Sequence, residues 1–422
     1  LGNKIAFKGG TYSSAVTDVY LKNIHYTGQA EAKTYADLFR FLNSGFAVLV
    51  LEGASSALVF GIQGYDKRSV SEPSGEDNVM GAKDGFIEVV RVNMSLLRRR
   101  MKTPQLKLEL FVKGTKSQTD LCLCYMADRV PKQLIREIKA RLDEMELESI
   151  LSSGYLQPFL ENRRSCLFDT VGTTQRPDVL CAKMLEGRVG LLIEGTPFAL
   201  VIPKLFCESF QTMDDYCYRP AYATLVRWIK YAAFLVAILL PALYVAIALH
   251  HPELLNRTLL LILAEAEENA PISLTAEAIG VLLVYEIIRE AGLRLPKAVG
   301  GAVSIVAGLI IGDAAVSSGL ISTPMLTVTA IAVIAGFVVP DLAQSITLLR
   351  LAFLLTAGVL GLFGISLLGA VVLFNLCAGE SFGFPITAPF APLYRKGFRD
   401  TLTRVSFRKM QSGNFTVEEY YE

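Results

Sequence analysis

The second half of this chain contains long stretches with almost no charged residue, and these constrain its fold more than any other feature. Residues 231–249 and 298–378 hold almost none, whereas the first 220 residues have the composition of a soluble domain. A helix needs about 20 mostly apolar residues to cross the hydrocarbon layer of a bilayer. We therefore predict a multi-pass α-helical membrane domain over residues 221–394. Its four candidate spans are 231–249, 298–317, 324–340 and 351–377.

Composition narrows the class of protein further. Of the 422 residues, 52% are hydrophobic and 19% are charged, whereas a typical soluble domain has roughly 25% charged residues. This balance excludes a purely soluble enzyme, a disordered chain and a collagen-like repeat. The formal net charge of +1 gives no argument for nucleic acid as a partner. Membrane lipid is the expected surrounding of the second half.

Basic residues flank the apolar block on both outer sides. By the positive-inside rule, both ends of the block should face the cytoplasm, together with the N-terminal domain and a C-terminal tail at 395–422. The number of crossings should then be even, and four fits. Arg289, Arg294 and Lys297 conflict with this topology, because they would fall in an outer loop. The flanking residues are Arg219, Arg227 and Lys230 before the block, and Arg395, Lys396, Arg399, Arg404, Arg408 and Lys409 after it.

The soluble half contains an internal repeat. Residues 42–59 (LNSGFAVLVLEGASSALV) align without a gap on residues 184–201 (MLEGRVGLLIEGTPFALV). Each copy has the pattern of a strand, a Glu-Gly turn and a second strand. The match favours two copies of one α/β subdomain, at 31–150 and 151–220, although two unrelated β-hairpins can also look alike. Residues 1–30 show no clear period, and we expect an irregular or truncated segment there.

The elements between the two copies alternate in type. Residues 86–101 have helical spacing, 106–114 and 119–127 have the pattern of strands, and 131–146 form an amphipathic helix. The sequence therefore predicts an α+β soluble region of two repeated α/β subdomains, followed by the multi-pass helical membrane domain.

Residues 254–290 place several carboxylates among apolar residues. A bare carboxylate at the middle of a bilayer costs about 2.5–3.5 kcal/mol on insertion scales, so this segment should lie at the interface, re-enter the membrane, or line an aqueous path. One interpretation is an acid-lined ion pathway, and the other is an interfacial helix whose charges meet water. Glu286 and Arg289 are three residues apart and could pair on one helical face. The candidate pathway residues are Glu265, Glu267, Glu268, Glu277, Glu286 and Arg289.

Small residues recur at helical spacing in the later apolar segments. Gly300, Ser304, Gly308 and Gly312 occur at every fourth position, which allows two helices to approach closely and favours an oligomeric helix bundle. The glycines at 358, 361 and 364 resemble a nucleotide-binding motif only loosely. Because they lie within an apolar segment with no preceding strand, we interpret them as helix-packing positions.

A charged segment precedes the first apolar stretch. We hypothesise that Asp214, Asp215 and Tyr216, together with Arg219, form a hinge or subunit contact that couples the soluble region to the first span. The alternative is a juxtamembrane charge set that only fixes orientation.

Motifs for enzymatic chemistry or metal binding were not found. The three histidines are at 25, 250 and 251, and the seven cysteines include no Cys-x-x-Cys pair, which indicates free thiols in a reducing compartment. No metalloprotease or serine-hydrolase motif is present. We therefore expect no enzyme activity, no cofactor and no metal.

Ordered motifs along the chain resemble the A subunits of GerA-type spore germinant receptors. The likeness extends from about residue 25 to 410. It is carried by GYDKRSVSEP (64–73), DGFIEVVRVNMSLLRRRMKTPQLKLE (84–109), TTQRPDVLCAKMLEGRVGLLIEGTPFALVIP (173–203), DDYCYRP (214–220), IREAGLRLPKAVGGAVSIVAGLIIGDAAVSSGLIS (288–322) and FGFPITAPFAPL (382–393).

This resemblance implies a protein of the inner membrane of bacterial spores that takes part in nutrient-triggered germination. It implies two partners, a transporter-like B subunit and a lipoprotein C subunit, and self-association into a ring-shaped ion channel. It also implies two similar soluble subdomains. The chain departs from the family pattern at residues 81–84, Gln175 and Asp313. A paralogue of the stage V sporulation protein AF type is therefore the alternative within the family.

Three functions compete at this point. The first is an oligomeric ion-conducting subunit of a germinant receptor. The second is a non-conducting membrane scaffold, or an AF-type accessory protein, in the same complex. The third is a transporter, which is disfavoured because the four spans contain no inverted repeat.

Overall fold

The computed structural model describes residues 29–417, apart from 51–55, 61–67, 74, 77, 162–165, 269–270, 296–311, 395–396 and 411–416. The strands are β1 (Gln29–Ala32), β2 (Ala47–Leu49), β3 (Ala57–Phe60), β4 (Leu106–Lys113), β5 (Thr119–Met126), β6 (Gly172–Thr174), β7 (Val189–Ile193), β8 (Ala199–Ile202), β9 (Glu380–Ser381) and β10 (Phe384–Pro385).

Helices lie between the strands in the first half and dominate the second half. They are α1 (Tyr35–Asn43), α2 (Val90–Arg100), α3 (Lys132–Asp143), α4 (Gln157–Leu160), α5 (Pro177–Leu185), α6 (Asp214–Cys217), α7 (Pro220–His250), α8 (Arg257–Glu268), α9 (Leu274–Arg294), α10 (Thr323–Phe337), α11 (Ala343–Ala378) and α12 (Phe407–Met410).

The internal repeat extends beyond the aligned hairpins. In the first copy β3 pairs with β1 and β2, and in the second copy β8 pairs with β6 and β7, all antiparallel. The registers coincide at the offset of 142, since Val48 pairs with Val59 and Gly190 with Val201. A glycine with positive φ follows the helix in each copy, at 45 and 187. Helix, turn and strand pairing therefore all coincide at this offset, which favours a duplication over a chance likeness of two hairpins.

The boundary predicted at residue 150 divides a sheet. The second sheet has the order β4-β5-β7-β8-β6, so two strands from the predicted first subdomain (31–150) join the second (151–220). The reason is that β5 pairs with β7 along a buried ladder, with Leu121 opposite Ile193. The first sheet, β1-β3-β2, stays within residues 29–60.

Two helices in the described ranges are long and apolar enough to cross a membrane. These segments are Pro220–His250 and Pro340–Ala378, and Thr323–Phe337 is a shorter apolar helix. The predicted span 231–249 lies within α7, and 324–340 largely coincides with α10. The predicted span 298–317 lies mostly outside the described residues. Four crossings are therefore a prediction that the described residues test only in part.

The last apolar helix reverses direction, so the prediction of one span over 351–377 is wrong. Gly361 interrupts α11 with a φ of 61° and a ψ of −143°. On either side of it, Ser345 Oγ donates to the carbonyl of Leu167 at 2.7 Å, while the N–H of Leu167 donates to Asn375 Oδ1 at 2.9 Å. A straight helix would separate residues 345 and 375 by about 45 Å. Residues 343–360 and 362–378 therefore form a helical hairpin whose two ends lie at the soluble region.

Helix α9 runs antiparallel to α7. Its first turn meets the hairpin apex, where Thr275 contacts Gly358, and Arg289 near its end meets Thr347 near the start of α11. Arg289 and Arg294 therefore lie toward the soluble end of the bundle and not in an outer loop, while Lys297 is outside the described residues. The conflict with the positive-inside pattern disappears for these two arginines.

After the hairpin the chain returns to the soluble core. Phe382, between β9 and β10, and Phe384, within β10, are buried in the same cluster as Leu121, Leu191 and Leu200. The hydroxyl of Ser381 donates to the carbonyl of Thr170 at 2.9 Å. The soluble core is thus built from both ends of the chain.

Candidate functional site

A buried charged network joins the soluble region, the first apolar helix and the C-terminal segment. The side chain of Arg227 on α7 is fully buried; its Nε donates to Asp215 Oδ2 at 2.9 Å and its Nη1 to Asp400 Oδ1 at 3.0 Å. One turn later, Lys230 Nζ donates to Thr212 Oγ1 at 3.0 Å and lies 3.5 Å from Asp215 Oδ1. Two cations on one face of α7 are therefore matched by carboxylates from before and after the helical region. We call these residues, with Tyr216, the junction network.

Tyr216 completes the junction network. Its hydroxyl donates to Asp400 Oδ2 at 2.8 Å, and the guanidinium carbons of Arg227 and Arg404 lie 5.7 and 5.8 Å from its ring centre. Burial, reinforced by the neighbouring Asp400 carboxylate, raises the pKa of Tyr216 well above its usual value. The phenol therefore remains protonated and keeps donating to Asp400 at physiological pH.

The C-terminal segment is also fastened to α7 outside this network. The indole N–H of Trp228 donates to the carbonyl of Leu402 at 3.0 Å, and the backbone N–H of Arg404 donates to Thr224 Oγ1 at 3.0 Å. Movement of the first apolar helix is thereby linked to the C-terminal segment as well as to the soluble region.

The structure separates the four predicted coupling residues. Asp215 and Tyr216 lie in the junction network, whereas Asp214 accepts from the backbone N–H groups of Val79 and Met80 at 3.2 and 2.9 Å. Arg219 is the N-cap residue of α7, and among the described residues no ion pair joins it to either aspartate. The arginine that pairs with Asp215 is Arg227.

A second buried ionic cluster adjoins the junction network. Glu208 accepts from Lys183 Nζ at 3.0 Å and pairs with Arg188, whose side chain is 3% exposed. Burial alone would raise the pKa of Glu208, but Arg188 and Lys183 outweigh it and lower that pKa to about 2. Gln211 lies between the two clusters and donates to the carbonyl of Asp400 at 2.6 Å. This cluster was not among the sites predicted from the sequence.

The predicted acid-lined segment does not form one cluster. Glu265 on α8 is exposed, and Glu267 and Glu268 end that helix with side chains outside the described set. Glu277 on α9 is 1% exposed; its Oε1 accepts from both the N–H and the hydroxyl of Ser322 at 2.7 Å, at the N-terminus of α10. Its Oε2 has no hydrogen-bond partner among the described residues.

The predicted pair of Glu286 and Arg289 is present. Arg289 Nη2 lies 2.6 Å from Glu286 Oε2. Thr347 on α11 bridges the pair, donating to Glu286 at 3.0 Å and accepting from Arg289 at 3.3 Å. This half-buried trio ties α9 to the first half of the hairpin.

A buried arginine missed by the sequence analysis sits between three apolar helices. Arg350 on α11 is 4% exposed; its Nε donates to the carbonyl of Ala237 at 2.7 Å and its Nη2 to that of Ala332 at 3.3 Å. The carbonyl of Ala237 has no helical donor because residue 241, four positions later, is proline. A proline within an apolar helix frees the carbonyl four residues before it. Such a proline, together with an arginine in another apolar helix, is the sequence signal that could have indicated this contact.

The small-residue stripe is mostly untested. Gly300, Ser304 and Gly308 lie outside the described residues, and a Cβ on Gly312 would meet Leu326 at an ordinary 3.8 Å. Close approach occurs instead at the hairpin apex. His250 Nε2 lies 3.0 Å from the carbonyl oxygen of Gly358, and a Cβ on Gly361 would lie 2.9 Å from that of His250.

Replacing Gly361 by Ala should destabilise the helical hairpin by about 1–3 kcal/mol, because side chains avoid this backbone conformation and the new Cβ would also meet His250. The melting temperature of the purified full chain in detergent is the measurement. Gly369 is the matched control, since a Cβ there meets nothing within 4 Å. Equal melting temperatures for the two alanine variants would contradict the tight apex.

These features define a class of protein. An α/β region is joined, through a buried charged network, to a helical bundle that contains the long apolar helix α7 and the apolar hairpin of α11. Among the described residues, no group of three or more His, Cys, Asp or Glu side chains is placed to hold a metal ion.

The chain belongs to the Bacillus/Clostridium GerA spore germination protein family, whose pattern it matches over residues 7–414. The family resemblance inferred from the motifs is thereby confirmed. Spore germination protein KA of Bacillus subtilis is 37% identical over 394 residues, which is 93% of this chain and 72% of that protein.

Two further comparisons are with a stage V sporulation protein and with a solved domain of a germinant receptor. Stage V sporulation protein AF of Bacillus subtilis is 28% identical over 284 residues, covering 67% of this chain and 57% of that protein. The crystal structure of the N-terminal domain of the A subunit of the Bacillus megaterium spore germinant receptor GerK3 is 30% identical, covering 46% of this chain and 70% of that one, with a TM-score of 0.25.

Proposed function

We propose that this chain is a membrane subunit of a spore germinant receptor, located in the inner spore membrane and acting without enzyme chemistry. Relatives named as spore germination proteins support a role in germination, and the apolar helices α7 and α11 support a location in the membrane. Its partners in the proposal are a transporter-like B subunit, a lipoprotein C subunit and further copies of itself in a ring.

Within this function, the helical region contributes to a path for ions. The observation that carries this part is Glu277, a carboxylate buried between α9 and α10 with one oxygen unpartnered among the described residues. An ionisable group in a membrane region is costly and is retained chiefly for function. Glu265, Glu267 and Glu268 belong to the proposal as acidic groups near an entrance, because α8 follows the end of α7 remote from the soluble region.

The junction network supplies coupling in this proposal. Asp215 and Tyr216 belong to the soluble side and Arg227 to the first apolar helix, so a displacement of either side changes the same buried contacts. A signal from partner subunits bound to the soluble region would reach α7 through this network.

The substitution Glu277→Gln tests the proposed path for ions. In spores whose only copy of the subunit carries this change, we expect release of monovalent cations after germinant addition to slow by about tenfold, equivalent to about 1.4 kcal/mol in the barrier. Glu290→Gln is the matched control, because Glu290 lies on the same helix but is exposed and paired with Arg294. Release is followed with an ion-selective electrode at equal subunit levels.

The alternative is a non-conducting scaffold or an AF-type accessory protein. The attachment of α7 to the C-terminal segment is the observation on its side, since such contacts anchor a helix and require no ion path. If ion release were unchanged with Glu277→Gln, and also with Glu265, Glu267 and Glu268 all neutralised, the conducting role would be refuted and this alternative supported.

A further inference from the structure

An open groove lies where α7 leaves the soluble region. It is formed by the first turns of α7 and the segment leading into α12, and its volume is about 570 Å³. This is within the range of small-molecule sites, about 300–1,000 Å³. Its main lining residues are Pro220, Leu225 and Trp228 on one side, and Arg404, Ser406 and Lys409 on the other.

The lining combines an apolar wall with positive charge. It includes two cationic side chains and no carboxylate. Arg404 is 4% exposed, and while its Nη2 donates to the carbonyl of Tyr216 at 3.0 Å, its Nε has no partner among the described residues. A guanidinium that lines an open groove with an incomplete set of partners among the described residues is suited to an anionic ligand.

The position of the groove indicates which kind of anion it would bind. Two aromatic side chains beside it, Tyr222 and Trp228, are 54% and 56% exposed, as is typical of the belt at a membrane–water interface. The uninterrupted apolar part of α7 begins immediately afterwards, at residue 231. In a membrane the groove would therefore open at the level of the lipid headgroups, on the side of the soluble region.

We propose that this groove binds one anionic phospholipid. Its phosphate is held by Arg404 and Lys409, and the beginning of an acyl chain lies against Leu225 and Trp228. This rests on the membrane location in the proposed function. Because Arg404 also contacts Tyr216 of the junction network, an occupied groove would stabilise the clamped arrangement of α7.

Binding is tested with the purified full chain in nanodiscs, either of phosphatidylcholine alone or with added phosphatidylglycerol, by native mass spectrometry of the retained lipids. Lys409→Ala should retain about fivefold less phosphatidylglycerol, the effect of one basic residue near an anionic surface. Arg408→Ala is the control, because Arg408 is the preceding residue, exposed and outside the groove. Arg404→Gln should lose at least as much as Lys409→Ala while keeping a donor for Tyr216.

Each alternative gives a distinct result. Equal losses for Lys409→Ala and Arg408→Ala would show diffuse charge attraction and overturn the site. Full displacement by inorganic phosphate would show an anion site without lipid, and crosslinking of Leu225 to another copy would show a subunit interface; both would overturn the proposal. A chain that enters no nanodisc would instead refute the membrane location on which the proposal rests.

Discussion

Replacing Asp215 by Asn is expected to destabilise the full chain by about 3–5 kcal/mol, the usual cost of removing one partner from a buried ion pair. The substitution leaves Arg227, whose side chain has no exposed surface, with Asp400 as its remaining carboxylate, and it leaves Lys230 without an ion-pair partner among the described residues. We expect a large fall in melting temperature in detergent, and spores that respond poorly to germinant even at normal subunit levels.

The neighbouring aspartate provides the control for this prediction. Asp214→Asn keeps one oxygen that can accept from the backbone N–H of either Val79 or Met80 and breaks no ion pair among the described residues, so it should cost much less. The double variant Asp215→Asn, Arg227→Gln should recover part of the loss, because it also removes the buried charge of Arg227 and leaves only those of Lys230 and Asp400. Equal effects of the two aspartate substitutions would refute the pairing described for Asp215.

Glu208 should make a comparable contribution that depends on pH. Its pKa of about 2 lies below the ordinary value of 4.5, so the ionised form is favoured by folding. Such a group stabilises the fold above its unfolded pKa, and this contribution disappears as the pH falls through the folded value. A shift of this size corresponds to about 3 kcal/mol, lost between about pH 4.5 and pH 2.

The comparison of Glu208→Gln with wild type measures this contribution. At neutral pH the variant should be less stable by about 3–5 kcal/mol, because the buried Arg188 and Lys183 keep only the more exposed Glu186 as a carboxylate. The difference should shrink as the pH is lowered through this window. Glu148→Gln, which removes an exposed pair with Lys116, should change stability by no more than about 1 kcal/mol. A difference between Glu208→Gln and wild type that did not vary with pH would be inconsistent with the lowered pKa.

Local patterns predicted local structure well. The strands expected at 106–114 and 119–127 are β4 and β5, and the amphipathic helix expected at 131–146 is α3. The repeat was visible because Gly45 and Gly187 occupy the same strained turn, which preserves a glycine in both copies. In each case the residues that determine the structure lie within one turn or one ladder of each other.

Pairings between residues far apart in the sequence could not be predicted in the same way. Asp400 is 173 residues from Arg227, and no periodicity connects a carboxylate in the tail to a cation in the first apolar helix. Gly361 lies in an apolar run that is helical on both sides, so hydropathy alone predicted one span where the chain turns back. Glu277 was singled out for its charge, but Ser322, which binds it, has no distinguishing pattern.

The return of Phe382 and Phe384 to the soluble core bears on the order in which the protein can mature. These residues leave the ribosome only after the whole helical region has been made, so the face of the core that receives them stays uncovered throughout synthesis of α7 to α11. Completion of the α/β core thus waits for correct folding of the hairpin. A chain with a misplaced hairpin would keep an apolar surface open to cellular quality control, which would remove faulty chains.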